Sequence, residues 1–142
     1  MAQMTPERMQ EFLSQTRQGI LLSTRSDGVA DGVPIWFDWD GESVRFFSSA
    51  TAPKVDRLRR DPRIAVLVVN DLDETPAWVR FEGDAEIDDE TDAKTLAVDV
   101  LAPRYWDLTE PGYASVVEQW AAAPSDAFVV IRLRPTAVRS SD

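Results

Sequence analysis

Residues 19–49 read GILLSTRSDGVADGVPIWFDWDGESVRFFSS, and the Asp-Gly steps at 27–28 and 40–41 divide them. An apolar run at 19–25 meets Ser26-Asp27-Gly28, a second run covers 29–39, Asp40-Gly41 follows, and a third run covers 43–49. Asp-Gly between alternating runs signals a tight hairpin, because glycine supplies the positive φ that such turns need. The stretch therefore predicts three strands joined as an antiparallel meander. Pro34 falls inside the second run and has no N–H to donate, which predicts an edge, a bulge or a stretch of backbone that no neighbour needs. Trp36 and Phe37 project to opposite sides if the strand is regular. Aromatic residues there serve equally as plain core or as a platform for a flat ligand.

Working outward, Thr5 and Pro6 start a short amphipathic helix, with Met9, Phe12 and Leu13 at helical spacing and Gly19 closing it. After the third strand, residues 54–60 predict a helix stopped before Asp61-Pro62. Residues 64–69 read as a nearly continuous apolar strand, and 77–87 alternate Trp78, Arg80 and Glu82 against Val79, Phe81 and Gly83. Asp88-Asp89-Glu90-Thr91-Asp92 is an acidic helix start suited to the positive end of a helix dipole. Pro103 and Pro111 break the chain before a helix over 113–122, and a last strand over 127–134 ends at Pro135. The order α-β-β-β-α-β-β-α-α-β predicts one mainly β domain over residues 1–142, an antiparallel barrel with flanking helices, since closure removes unpaired edges.

Composition excludes whole classes of chemistry. With no Cys and no His, disulfides, thiolate or imidazole zinc sites, Cys nucleophiles and Ser-His-Asp triads are absent. Demanding chemistry is left to carboxylates, a carboxylate-bound hard cation or a bound organic cofactor. Fifteen basic against 25 acidic residues give a net charge of −10, which argues against nucleic acid and anionic membrane as partners. No apolar run is long enough to span a bilayer and MAQMTPERMQ lacks the features of a secretory signal, so a soluble, cytoplasmic protein is expected.

Within that acidic chain, Lys54, Arg57, Arg59, Arg60 and Arg63 form the one concentrated basic segment. Local positive charge in a negative protein fits a specific anion, with Ser48, Ser49 and Thr51 just upstream and a helix start at Lys54. The alternative is a solvated surface helix whose arginines pair with Asp56 and Asp61. Asp38 with Asp40, and the run 88–90, lack metal-loop spacing and fit turn and capping roles, so no metal site is expected.

The string GVPIWFDWDGESVRFFSSATAPKVDRLRRDPRIAVLVV at 32–69, AWVRFEGDAEI at 77–87 and FVVIRLRP at 128–135 together resemble the pyridoxamine 5′-phosphate oxidase-like, FMN-binding split-barrel superfamily. The PxWF strand and the KxxxLRRDPR helix look most like the actinobacterial branch that uses the deazaflavin coenzyme F420. The resemblance covers roughly residues 5–138 and implies a split β-barrel. It also implies that Ser48, Ser49 and Lys54 hold the cofactor phosphate, with Arg57 one turn further along. Pro34, Ile35, Trp36 and Phe37 would lie beside the tricyclic ring, and Trp78 and Arg80 near the cofactor across a homodimer interface. Two departures weaken FMN relative to F420: residues 29–39 contain no Arg, and Pro53 precedes the helix lysine. The His and Arg that bind pyridoxal phosphate near the end of the oxidases also have no counterpart.

The expected function is therefore an oxidoreductase that transfers hydride from reduced F420 to a small conjugated or heteroaromatic substrate. An FMN-dependent reductase or oxidase, and a non-catalytic F420 carrier, are the alternatives. Arg80, Tyr105 or solvent are the candidate proton donors.

Overall fold

The structure is a computed structural model, and it describes residues 2–89 and 91–142. Helix α1 (Pro6–Ser14) leads into strands β1 (Gly19–Thr24), β2 (Ala30–Ile35), β3 (Asp38–Trp39) and β4 (Val44–Ser49). Helix α2 (Pro53–Arg60) precedes β5 (Arg63–Val69) and β6 (Trp78–Asp88). A π-helical segment (Thr95–Leu101) runs into α3 (Ala102–Tyr105), and α4 (Pro111–Ala122), β7 (Phe128–Leu133) and β8 (Ala137–Ser141) complete the chain. Every strand pairing is antiparallel.

The hydrogen-bonded path runs β2-β1-β5-β6-β7-β4-β3, with β8 also on β6. Its two end strands, β2 and β3, are consecutive in the chain and separated only by Trp36 and Phe37. The barrel is thus closed by covalent continuity at one seam, where no ladder of hydrogen bonds forms. This corrects the expected meander: the run 29–39 is two strands serving two sheet edges, and β1 pairs on its other side with β5. Pro34 sits in the edge strand β2, where its missing N–H leaves no ladder gap.

Packing fixes the seam. Phe37 is 5% exposed and belongs to the main core, whereas Trp36 packs on the opposite side against a second cluster. Gly19 does not close α1, which ends at Ser14; it opens β1 and makes room for Phe37, whose Cδ1 would lie 3.0 Å from any Cβ placed there. Tyr105 bolts the seam from outside. Its O–H donates to the Arg17 carbonyl at 2.5 Å and its oxygen accepts from the Phe37 N–H at 3.3 Å.

The main core fills the barrel with Leu21, Val66, Val79, Phe81, Phe46 and Ile131, while Phe12 of α1 and Leu58 of α2 join it. Fully burying each such side chain contributes about 1.5–3 kcal/mol. The second core lies on the outer face of β4 and β7, where Leu96, Leu101 and Val130 meet Trp36, Phe47, Tyr105 and Phe128.

Turn chemistry follows the residues. Gly28 and Gly41 take φ of +85° and +94° in the two Asp-Gly turns. Thr5 caps α1 by accepting from the Arg8 N–H at 3.1 Å, and Asp40 accepts from the Glu42 and Ser43 N–H groups. Asp92 caps the next helical turn through the N–H groups of Lys94 and Thr95; Glu90 lies outside the described residues. Pro103 and Pro111 sit in the first turns of α3 and α4, so they start helices where a break was expected. The last strand does not end the fold at Pro135. The chain bends over Gly83, whose absent side chain leaves room for Leu133 and the backbone of Arg134 and Thr136, and continues along β6 as β8.

The β5–β6 connection, residues 70–77, is braced by Arg17. This 3% exposed guanidinium donates to both Glu74 oxygens, at 2.5 and 2.8 Å, and lies 3.9 Å from the Phe12 ring centroid. The Arg17 hydrogen bond, with a second from the Asp71 N–H, lowers the Glu74 carboxyl from its ordinary 4.5 to about 2.

Two outcomes test this fold. Tyr105→Phe strands the buried carbonyl and N–H at the seam and should lower unfolding free energy in urea by about 1–3 kcal/mol; a change within about 0.5 kcal/mol, typical of a neutral surface site, would show that the bolt is idle. Because the Glu74 carboxyl is depressed in the folded state, its contribution is present above the ordinary carboxylate range and is lost as pH falls toward 2. The melting-temperature gap between wild type and Glu74→Gln should be widest above about pH 5 and close toward pH 2. A gap independent of pH would contradict the brace.

Candidate functional site in the barrel seam

The seam leaves a cleft of about 260 Å³ lined by Gln18, Pro34, Ile35, Trp36, Phe47, Lys54, Trp106 and Trp120. Three kinds of surface meet in it. Among the described residues the outer edge of β2 has no partner strand, which leaves alternate backbone groups facing outward, where they could bond the rim of a flat ligand. Aromatic side chains build the walls. Lys54, in the first turn of α2, supplies a cation.

The aromatic walls are ordered by mutual packing. Tyr105 stacks on Trp36 with centroids 5.1 Å apart and planes within 8°. Trp106 meets the Trp36 ring edge-on at 4.7 Å, stacks on Tyr113 at 4.5 Å, and lies 5.7 Å from Trp120. Phe47 closes the floor at 6.4 Å from Trp36 and 5.4 Å from Trp120. Such edge-to-face and offset pairs fix ring orientation as well as burying area.

Lys54 is half-buried, and among the described residues its ammonium has no hydrogen-bond or ion-pair partner. Burial, and then the nearby Arg57 charge, push its pKa below the ordinary lysine value. A desolvated cation without a counter-charge is costly, and an anion seated beside it would relieve that cost. The rest of the expected anion pocket is differently arranged. Pro53 has no N–H, and the N–H groups of Ala52 and Val55 are used within the turn, bonding the Ser49 and Ala52 carbonyls. The ammonium itself therefore carries most of the attraction.

Of the residues singled out by sequence, the structure brings Pro34, Ile35, Trp36 and Lys54 together in this cleft. Phe37 faces the core and lines a different, polar cavity of about 280 Å³ with Arg17, Asp38 and Arg104. Ser48 and Ser49 point to opposite faces of β4. Ser48 is 5% exposed and donates to the Ser49 carbonyl, whereas the exposed Ser49 hydroxyl meets that of Thr51 at 3.2 Å. Arg57 bonds Asp31 at 2.9 Å and Ser23 at 3.1 Å, tying α2 to the β1–β2 hairpin. Trp78 and Arg80 lie on the outer face of β6, with the Arg80 guanidinium 5.3 Å from the Trp78 ring.

Gln18, Phe47, Trp106 and Trp120 were not foreseen from the sequence. Tyr105-Trp106 followed by Trp120 was the available signal, a concentration of large aromatics in a short helical stretch. Tyr105 is not arranged as a proton donor: its proton is committed to the Arg17 carbonyl, and burial pushes its pKa above the ordinary phenol value. Asp38 pairs with Arg45 and, at 2.8 Å, with Arg104. Burial alone would raise its carboxyl, but these hydrogen bonds prevail and hold it below the ordinary range. Among the described residues, no three acidic side chains converge to hold a metal ion, and no helix is long and apolar enough to cross a membrane.

Comparisons with known proteins agree with this architecture. A family model described as pyridoxamine 5′-phosphate oxidase matches residues 5–142. A conserved hypothetical protein from Mycobacterium tuberculosis is 27% identical with a TM-score of 0.70, the match covering 98% of this chain and 85% of that one. An F420 reductase aligns at 23% identity and TM-score 0.63, over 94% of this chain and 98% of its own. A FAD-binding protein from Mesorhizobium loti aligns at 18% identity and TM-score 0.67, over 98% and 95%. At these two lower identities the likeness is one of fold. No curated protein matches significantly. With nearly its whole length matched and its barrel split at one seam, the chain belongs to the pyridoxamine 5′-phosphate oxidase family of split-barrel proteins.

Proposed function

We propose that the seam cleft binds a phosphate-bearing tricyclic cofactor, F420 in preference to FMN, and that the chain is an oxidoreductase acting on a small conjugated or heteroaromatic substrate. The observation that carries this reading is Lys54: a half-buried, unpartnered ammonium beside a free strand edge and aromatic walls. Those features fit an anionic group attached to a flat ring. The preference for F420 rests on two features: no arginine in β2, and Pro53 in place of a basic residue before Lys54.

When bound, such a cofactor supplies the hydride. The protein's part is positional. Lys54 would hold the phosphate, the β2 edge at Pro34 and Ile35 would register the ring, and Trp36, Trp106 and Trp120 would exclude water from the reacting face. Tyr105 fixes the plane of Trp36 without touching the reaction. Ser49, exposed near the start of α2, is available as a secondary phosphate contact; Ser48 and Arg57 are engaged elsewhere. Apart from the Lys54 ammonium, which this reading commits to the phosphate, the residues lining the cleft carry no group that releases a proton near neutral pH, so solvent is the proton source in this reading.

A cleft of about 260 Å³ is smaller than the usual small-molecule pocket of about 300–1,000 Å³, so one chain covers the ligand only in part. A homodimer, with Trp78 and Arg80 of a second copy approaching the cleft, is the arrangement we propose to complete it. A carrier that binds F420 without turnover is the competing reading, and a substrate-panel assay separates the two because a carrier never oxidises the reduced cofactor.

Lys54→Ala should weaken F420 binding by roughly 10- to 150-fold, the loss expected for one charge-assisted contact of about 1.5–3 kcal/mol. Arg60→Ala is the control, an exposed cation in the same helix with no partner among the described residues. Lys94 cannot serve, because its ammonium donates to the Ala123 carbonyl at 2.8 Å and caps α4. Rising salt should weaken binding by the wild type more than by Lys54→Ala. Equal affinities for Lys54→Ala and Arg60→Ala in fluorescence titrations, with both chains folded, would remove the physical basis of the assignment.

A further inference from the structure

Residues 70–77 combine a rigid frame with a bare apolar tip. Arg17 grips Glu74 at two oxygens, Glu74 accepts from the Asp71 N–H at 3.0 Å, and Asn70 pairs with Ala77 through both backbone and side chain. At the tip, Leu72 is fully exposed at 105%, with Asp71 and Asp73 on either side and Val69, 40% exposed, at the base. Ordering backbone costs about 1–2 kcal/mol per residue, and a mere connection between β5 and β6 has no need of it. A fixed loop holding a leucine in water has the form of a pre-organised anchor.

The surface beside the loop says what the anchor meets. Ile20, Leu67, Arg80 and Arg139 stand in one register across β1, β5, β6 and β8. Their chain neighbours Leu21, Val66, Val68, Val79 and Phe81 fill the barrel, so this row points outward. The strongest helix contacts fall on β4, on β6 and between the helices themselves. One half of the row is apolar. In the other, Arg80 and Arg139 share the single Glu82 carboxylate, at 3.5 and 3.8 Å, so positive charge is in excess. An apolar stripe with a cationic end on the sheet, and an anionic, leucine-tipped knob on the loop that leaves β5, are complementary in charge and polarity, as a contact between two copies of one chain requires.

We propose that residues 70–77 are a docking arm through which two copies of this chain pair, with Leu72 as the apolar anchor and Asp71 and Asp73 set against Arg80 and Arg139 of the second copy. The inference rests on the homodimer reading above and adds the element that makes the contact. It implies that the Arg17–Glu74 brace belongs to assembly as much as to folding.

Light scattering and sedimentation over a concentration series test it. The wild type should run at twice the 15.9 kDa chain mass. Leu72→Asp should raise the dimer Kd by about 30-fold or more, the size of a central hot-spot loss. It should stay folded by circular dichroism, because Leu72 touches nothing in the monomer. Val29→Asp, at a 50% exposed valine on the β1–β2 hairpin at the other end of the sheet, should leave pairing unchanged. Asp73→Arg and Arg139→Asp should each weaken the dimer and together restore it. A wild type that is monomeric throughout, a Leu72→Asp dimer as tight as wild type, or simply additive losses in the charge swap would overturn the arm. A Leu72-dependent dimer that binds neither F420 nor FMN would support the arm and count against the cofactor reading alone.

Discussion

Two peptide units, those of Trp36 and Phe37, hold the barrel shut. They join the first and last strands of a seven-strand path that, among the described residues, no hydrogen-bonded ladder closes, and the candidate site is arranged around that junction. Because side chains alternate along an extended backbone, the junction sends Phe37 inward to the core and Trp36 outward to the helices. One covalent crossing thus couples the barrel interior to the aromatic cluster outside it. Gly19 makes room for the inward ring, and Tyr105 pins the backbone while stacking on the outward one. A fully hydrogen-bonded barrel would have no such cleft; an open sheet would have no walls around it.

Electrostatics give the cleft its chemistry. A chain with a net charge of −10 repels anions at long range, so an anionic ligand must be held by a local, poorly solvated cation. Most basic side chains are already engaged. Arg57 holds Asp31, Arg63 holds Asp61, Arg132 holds Asp88, and Arg17 holds Glu74. Lys54 alone combines partial burial, a place in the aromatic cleft and the absence of a counter-charge among the described residues. In the proposed arm at residues 70–77 the same rule would apply, with acidic charge at the loop tip set against Arg80 and Arg139 of a second copy, which share one carboxylate between them.

Local signals carried much of the fold. Thr5-Pro6 start a helix, Asp27-Gly28 and Asp40-Gly41 make turns, and Asp92 caps, because each effect depends on a few neighbouring residues. The break at Trp36 and Phe37, the pairing of β1 with β5, and β8 beyond Pro135 were not legible. Each depends on packing between residues far apart in sequence, and the short run Ala137–Ser141 has little alternation to betray a strand. The π-helical turn at Thr95–Leu101, which packs on α3, α4 and β4, had no local signal either. In the site, charge clustering pointed to Lys54 but could not separate it from Arg57, whose ion pair with Asp31 appears only in three dimensions. The neighbouring serines shared a motif yet face opposite ways, and the tryptophans that wall the cleft come from helices whose positions no local pattern fixes.

The chain has only two lysines, Lys54 and Lys94, so their side-chain resonances can be followed individually by NMR as pH is raised. If the cleft is an anion site, Lys54 should titrate below the ordinary lysine range in the free protein, because burial and Arg57 oppose its charge. F420 should move that titration upward by supplying the missing counter-charge. A Lys54 titration that is unchanged at F420 concentrations that saturate the protein would contradict the central claim, since the phosphate would then sit elsewhere.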